Sequence, residues 1–145
     1  MDLPFDPAIE AQAAFRRVQE GNELGSDGEL AQALETEFSE NAGAAATQAY
    51  RGLLALGERH AGARAFQEFL IYSTWQQAAE DPVAEHFQRG RDLCARFLTR
   101  PAAGGLEPNL ARIRALQTSF RNALGEKEQD HIGEEYDRDA FKGGD

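Results

Sequence analysis

Residues that commonly carry chemistry are few in this chain, which has three histidines and one cysteine. Glu128 and His131 have the Glu-x-x-His spacing that places both side chains on one helix face, as in carboxylate-bridged di-iron bundles. A complete site of that kind needs a second such pair and two further glutamates, and the sequence contains no second Glu-x-x-His. A histidine and a glutamate in a polar tail are the simpler interpretation, so we expect neither a metal nor a cofactor.

Nucleophilic catalysis would require Cys94 or a serine beside a histidine and a third group that orients the histidine. Cys94 shares its predicted helix face with Phe87 and Phe97, where thiols usually serve as unreactive packing. The sequence has no glycine-flanked serine elbow and no glycine-rich phosphate loop after a strand. We therefore expect a protein that is not an enzyme. The alternative is a small metal-dependent or hydrolytic enzyme whose residues meet only in the folded chain.

Arginines are the second group that could carry chemistry, since thirteen of the fifteen basic residues are arginine and guanidinium groups suit carboxylate or phosphate partners. In the predicted helix that ends near residue 100, Glu85 lies four residues before Arg89. Asp92 likewise lies four residues before Arg96, and such pairs stabilise the helix that contains them. Arg100 follows on the same outward face, and we include it among the candidate binding residues.

The predicted helix 108–124 contains no acidic residue. Its polar side chains form a continuous strip beside the apolar face, and they are the remaining candidate binding residues: Arg114, Gln117, Thr118, Arg121 and Asn122. Such a strip can bind an RNA or DNA backbone through charge-assisted bonds, or the carboxylates of a protein, including this protein's own acidic ends. We expect a protein partner or a larger assembly, with a nucleic-acid backbone and simple solvation as the alternatives.

The charge is unevenly distributed along the chain. Acidic residues outnumber basic ones by 25 to 15, which gives a net charge of −10. Residues 1–44 carry ten acids and two arginines, residues 45–125 carry seven acids and ten arginines, and residues 126–145 carry eight acids and three bases. The basic middle therefore decides local binding more than the overall charge does. The acidic ends favour solubility, and the alternative is an inhibitor whose carboxylates mimic nucleic acid.

The elements that must position these residues are helices, because capping and stop signals recur while strand signals hardly occur. Asp6 and Asp81 each precede a proline, which is typical of a helix start. Ser26 and Glu29 have the spacing of a capping box for a second helix, and Gly57 is expected to stop the third. Leu30, Leu34 and Phe38 are expected to form the buried face of the second helix.

The sequence predicts an all-α, single-domain bundle of five or six helices over residues 6–125, followed by a flexible acidic tail, 126–145. No apolar run approaches the ~20 residues that cross a bilayer, and the first residues do not resemble a signal peptide, so we expect no membrane contact and a cytoplasmic protein. The segment 63–80 is apolar nearly all round and is expected to be the central helix. The expected core consists of Phe15, Leu34, Leu54, Phe69, Trp75, Phe87, Phe97, Ile113 and Phe120.

Overall fold

The computed structural model describes residues 3–100, 107 and 109–125, and these residues form helices and contain no strand. The expected tail, 126–145, with Glu128 and His131, lies outside the described residues. The all-α prediction is confirmed. The helices are α1 (Pro7–Glu20), a short 3-10 turn (Gly25–Asp27), α2 (Gly28–Glu40), α3 (Gly43–Arg59), α4 (Arg64–Glu80), α5 (Ala84–Thr99) and α6 (110–125). No described helix is long and apolar enough to span a bilayer.

Acidic side chains begin two of these helices. The Asp6 carboxylate accepts a hydrogen bond of 2.9 Å from the Ala8 amide, and Pro7 is the first residue of α1, as predicted. The start of α4 is capped by a residue distant in sequence, because the Glu23 carboxylate accepts from the Ala65 and Phe66 amides at 2.9 Å each. This long-range cap fixes the loop after α1 against the start of α4.

Helix α4 is the central element, as its composition predicts. It packs against α1, α5 and α3, while α2 packs on α3. Because neighbours cover it on several sides, residues 68–74 are buried without a break. Six of the nine expected core residues are buried. The other three, Leu34, Leu54 and Trp75, are partly exposed and pack against the edge of the core.

Helix α6 is positioned by one aromatic side chain. The Phe120 ring packs edge-on against Trp75 of α4, with 5.1 Å between ring centroids. It also covers Gly90 of α5 so closely that a Cβ atom at residue 90 would lie 2.2 Å from the ring. The absence of a side chain at Gly90 therefore permits the contact between α5 and α6.

Two predicted helix starts are wrong in detail. The capping box does not form, because a 3-10 turn covers Gly25–Asp27 and α2 begins at Gly28 with no side-chain cap. Asp81 does not cap α5, which begins at Ala84; its carboxylate instead contacts His86 at 3.2 Å. In both places a tertiary or turn contact replaces the local bond that the sequence suggested.

Two further local expectations are also corrected. Gly57 does not stop α3, which continues to Arg59; it lies inside the helix, where a Cβ would come within 2.3 Å of Leu70. Leu30 is 49% exposed, and the buried position of α2 is the neighbouring Ala31. Leu34 and Phe38, the other predicted members of this face, are partly buried and pack against the core, so the predicted face of α2 is wrong at Leu30.

Candidate functional site

The predicted polar strip lies on the outward face of α6. Its exposed members are Arg114, Thr118, Arg121 and Asn122, and Gln117 is partly buried. This orientation follows from the apolar side chains of the same helix, since Ile113, Leu116 and Phe120 are fully buried on the other side. We call these five polar residues the α6 strip.

The two cations of the α6 strip have no partner among the described residues. Neither the Arg114 nor the Arg121 side chain makes a hydrogen bond or an ion pair there. The other arginine of the helix, Arg112, is instead directed inward and forms an ion pair of 3.2 Å with Glu10 of α1. The helix therefore separates its arginines into one that holds the fold and two that face outward.

Arg100, the remaining candidate binding residue, lies in a different place. It lines a groove of about 350 Å³ between the end of α3, the start of α4 and the outward side of α5, together with Arg64, Arg89 and Arg96. No residue of α6 lines this groove. We call it the arginine groove. The structure thus assigns the candidate binding residues to two separate surfaces.

Arg64 is the fixed cation of the arginine groove. Its Nε and Nη2 atoms donate to the two oxygens of Glu107 at 3.1 and 2.6 Å, and its Nη1 donates to the Phe97 carbonyl at 2.6 Å. The guanidinium carbon lies 3.4 Å from the centroid of the Phe97 ring, a cation–π contact. All three donor atoms are engaged, so Arg64 shapes the groove wall while leaving no donor nitrogen without a partner.

The other arginines of the groove are held more weakly. Arg89 pairs with Glu85 at 3.8 Å, which confirms the first predicted pair of α5. The second predicted pair does not form, because Asp92 contacts its neighbour Arg91 at 3.4 Å instead. The side chains of Arg96 and Arg100 consequently make no hydrogen bond or ion pair with any described residue.

A buried carboxylate that the sequence analysis missed joins three helices. Glu68 of α4 is 2% exposed, and its carboxylate accepts from the Tyr72 hydroxyl at 2.6 Å and from the Asn109 amide. Arg17 of α1 forms an ion pair with the same carboxylate at 2.9 Å. These contacts link α1, α4 and the residue that precedes α6. We call this set the Glu68 network.

The Glu68 network lies away from the arginine groove, because none of its four residues lines that groove. Burial raises the pKa of Tyr72, and its hydrogen bond to Glu68 raises that pKa further. Burial disfavours the charged form of Arg112, but its hydrogen bond to Tyr72 and the nearby carboxylates outweigh this and raise its pKa. Both groups therefore keep their protons at neutral pH, and the network fits a structural role.

The described histidines contact carboxylates rather than nucleophiles. His60 contacts Asp27 at 2.7 Å, and His86 contacts Asp81 at 3.2 Å.

Cys94 is fully buried, and that burial raises the pKa of its thiol to about 12. The thiol is therefore protonated at neutral pH, as expected for a packed side chain. Over the described part of the chain, no three histidine, cysteine or carboxylate side chains are grouped to hold a metal ion.

Comparison with known proteins adds no assignment. No protein-family model matches the chain, and no curated protein or solved structure shows significant similarity to it.

Proposed function

We propose that this protein is a non-catalytic helical interaction module, a small subunit or adaptor of a larger assembly, which binds an acidic protein surface through the α6 strip. One observation carries the proposal. Of the ten arginines in residues 45–125, five have side chains with no hydrogen bond or ion pair among the described residues: Arg51, Arg96, Arg100, Arg114 and Arg121.

The surplus of acids makes these free arginines informative. The chain has 25 carboxylate side chains for 15 bases, so intramolecular partners for arginine are abundant. The arginines that join helices do find carboxylates, as Arg64 finds Glu107 and Arg112 finds Glu10. Arg114 and Arg121, which have no carboxylate partner among the described residues, lie on one exposed helix face, where a partner's carboxylates can bind them without competition from acids of the same helix.

The negative net charge of the protein favours a protein partner over a nucleic acid. A net charge of −10 repels a polyanion at long range, whereas a folded partner with a local acidic patch is repelled less. An exposed arginine–carboxylate pair contributes only about 0.2–1 kcal/mol, so two such pairs at a rim would bind weakly. We therefore expect the partner to cover the strip, because arginines at the desolvated centre of an interface contribute about 2 kcal/mol or more each.

The apolar part of the proposed contact is limited in the described residues. Their exposed large hydrophobic side chains are Ile9, Leu30 and Val83, on α1, on α2 and just before α5. None of them lies on α6, so the arginines and the amide and hydroxyl groups of the strip supply the specificity.

The test compares two variants with the same change in charge. Arg114→Gln/Arg121→Gln removes the strip cations, and Arg16→Gln/Arg51→Gln removes two other exposed arginines without ion pairs, on α1 and α3. Partners captured from the native host are cross-linked to each protein and mapped by mass spectrometry. We expect cross-links near α6 and roughly tenfold weaker binding per strip arginine, with little change in the control.

Nucleic acid is tested in parallel with labelled single- and double-stranded RNA and DNA at low and moderate salt. We expect no mobility shift. A shift that the strip variant abolishes would replace the protein partner with a phosphate backbone, and the salt slope would fall by about 0.7–0.9 per lost contact. Equal capture by both variants, or unfolding of the strip variant, would refute the proposal.

A further inference from the structure

We propose that the arginine groove is a binding site for a small organic phosphate whose apolar body lies against the floor of the groove. This goes beyond the interaction module proposed above, because the α6 strip contributes no residue to the groove. The groove has a volume of about 350 Å³, which falls within the range that small-molecule sites occupy. It is therefore large enough for one phosphate group with a compact organic substituent.

The lining combines an apolar floor with a cationic rim. Leu54, Leu70, Leu93 and Phe97 form the floor, and the half-buried Leu54 is the most exposed of them. Such a surface gains free energy when it is covered by an apolar ligand body, and inorganic phosphate alone cannot provide that contact. The floor therefore predicts an organic ligand.

The remaining donors of the groove lie on α5 and directly after it. Arg96 of α5 and Arg100, the residue that follows α5, both line the groove, and neither pairs with a carboxylate among the described residues. Arg89 lies seven residues before Arg96 and forms an exposed ion pair with Glu85 at 3.8 Å. A bound anion can replace this ion pair at low cost in free energy. A phosphate presents several oxygens at once, so it can accept from more than one guanidinium fork.

Arg64 preorganises this site. Because Glu107 and the Phe97 carbonyl hold all its donor atoms, its guanidinium plane is fixed on the Phe97 ring at the edge of the groove. Because the Glu107 carboxylate compensates its charge, Arg64 contributes a fixed shape to the groove edge, and Arg96 and Arg100 are left to bind the anion. Among the described lining residues the exposed Glu58 is the one carboxylate beside four arginines, and two of these, Arg64 and Arg89, already pair with Glu107 and Glu85.

A second groove carries charge of the opposite sign to the arginine groove. It lies between α1, the α2–α3 junction and α4, with a volume of about 690 Å³. Its charged lining residues are all acidic, namely Asp6, Glu35, Glu80 and Asp81, and it also contains Trp75. An anionic ligand should therefore enter the arginine groove and avoid the larger one.

Isothermal titration with naphthyl phosphate tests the proposal. Inorganic phosphate lacks the apolar body, naphthol lacks the phosphate and naphthoate replaces the phosphate with a carboxylate. We expect naphthyl phosphate to bind at least tenfold more tightly than any of these three. We expect no change in the emission of Trp75, the only tryptophan, because it lines the acidic groove.

Three variants remove different parts of the site. Arg96→Gln and Arg100→Gln each remove exposed donors, and each should weaken naphthyl phosphate binding by about tenfold. Gly62→Leu blocks the groove without changing charge, and it should fold because a Cβ at Gly62 meets no atom within 4 Å. Arg114→Gln/Arg121→Gln is the control, because it removes two positive charges outside the groove, and it should bind naphthyl phosphate normally, whatever happens to the protein partner.

Co-sedimentation with phosphatidic acid vesicles distinguishes the source of the phosphate. Vesicle binding that Arg96→Gln and Gly62→Leu both abolish would assign the phosphate to a lipid headgroup, and naphthyl phosphate binding without vesicle binding would assign it to a free ligand. Both results support a phosphate site. Absence of binding in both assays, binding that Gly62→Leu leaves intact, or equal affinity for naphthoate would overturn it.

Discussion

Replacing the buried carboxylate by its amide, Glu68→Gln, should destabilise the protein while preserving side-chain shape. The carboxylate accepts from three groups, Arg17 at 2.9 Å, Tyr72 at 2.6 Å and Asn109. An amide has one oxygen that accepts and a nitrogen that only donates, so in either orientation at least one donor faces another donor. The ion pair with Arg17 is lost in both orientations.

The magnitude follows from opposing contributions. A hydrogen bond to a charged group contributes about 1.5–3 kcal/mol, and the substitution loses or weakens at least one of them. Arg17 is 43% exposed, so water partly replaces its lost partner. Removing a buried charge also recovers part of its desolvation cost. We therefore expect a loss of about 2 kcal/mol in unfolding free energy, or about 4–8 °C in Tm.

Urea denaturation followed by circular dichroism and by Trp75 fluorescence measures this loss. Trp75 contacts Phe120 at 5.1 Å, so its emission also reports whether α6 remains docked. The matched control is Glu85→Gln, whose exposed pair with Arg89 at 3.8 Å should contribute less than ~0.5 kcal/mol. If the two variants are equally stable, the Glu68 network does not hold the helices as described.

Two more predictions test local contacts. The Asp27 carboxylate accepts from His60, and this hydrogen bond, aided by a neighbouring arginine, lowers its pKa below the ordinary 3.8. A lowered folded-state pKa stabilises the protein at pH values above the unfolded-state pKa, and the contribution disappears as pH falls through the folded-state pKa. The Tm difference between wild type and Asp27→Asn should therefore shrink as the pH falls below about 4; a gap that persists at pH 2 would contradict this assignment. Gly90→Ala places a Cβ 2.2 Å from the Phe120 ring and should cost about 1–3 kcal/mol in urea denaturation, whereas Gly28→Ala, which meets open space, should cost nothing. Phe120→Leu in the Gly90→Ala background should recover part of the loss, and additive losses would exclude the clash as its cause.

The helices were predictable because their signals are local. Asp6 and Pro7 begin α1 as expected, and the apolar spacing of Ile113 and Phe120 correctly indicates the inward face of α6. The spacing also places Arg114 and Arg121 outward, since the two faces of one helix are complementary. These properties depend only on residues within a few turns of each other.

Contacts between distant residues were not predictable in the same way. Glu23 caps α4 across 42 residues, and Arg64 meets Glu107 across 43. Glu68 is an acidic residue within the largely apolar segment 66–72, and a buried carboxylate needs a partner. The sequence therefore indicates that Glu68 has a partner but does not identify that partner. The arginine groove was missed because its lining comes from three helices, and only Arg100 had been selected from it.

The pairing of individual arginines, more than the net charge, distinguishes structural from available cations here. Arg17, Arg64 and Arg112 each meet a carboxylate from a distant part of the chain, and they join α1, α4 and the residues that begin α6. Removing any of them should first affect stability, because its partner carboxylate is mostly buried. Arg96 and Arg114 have no such partner in the described part of the chain, so substituting them should leave the fold intact and change only what the surface binds. An acidic protein can thus present cationic binding surfaces, provided that its internal carboxylates are already committed to other arginines.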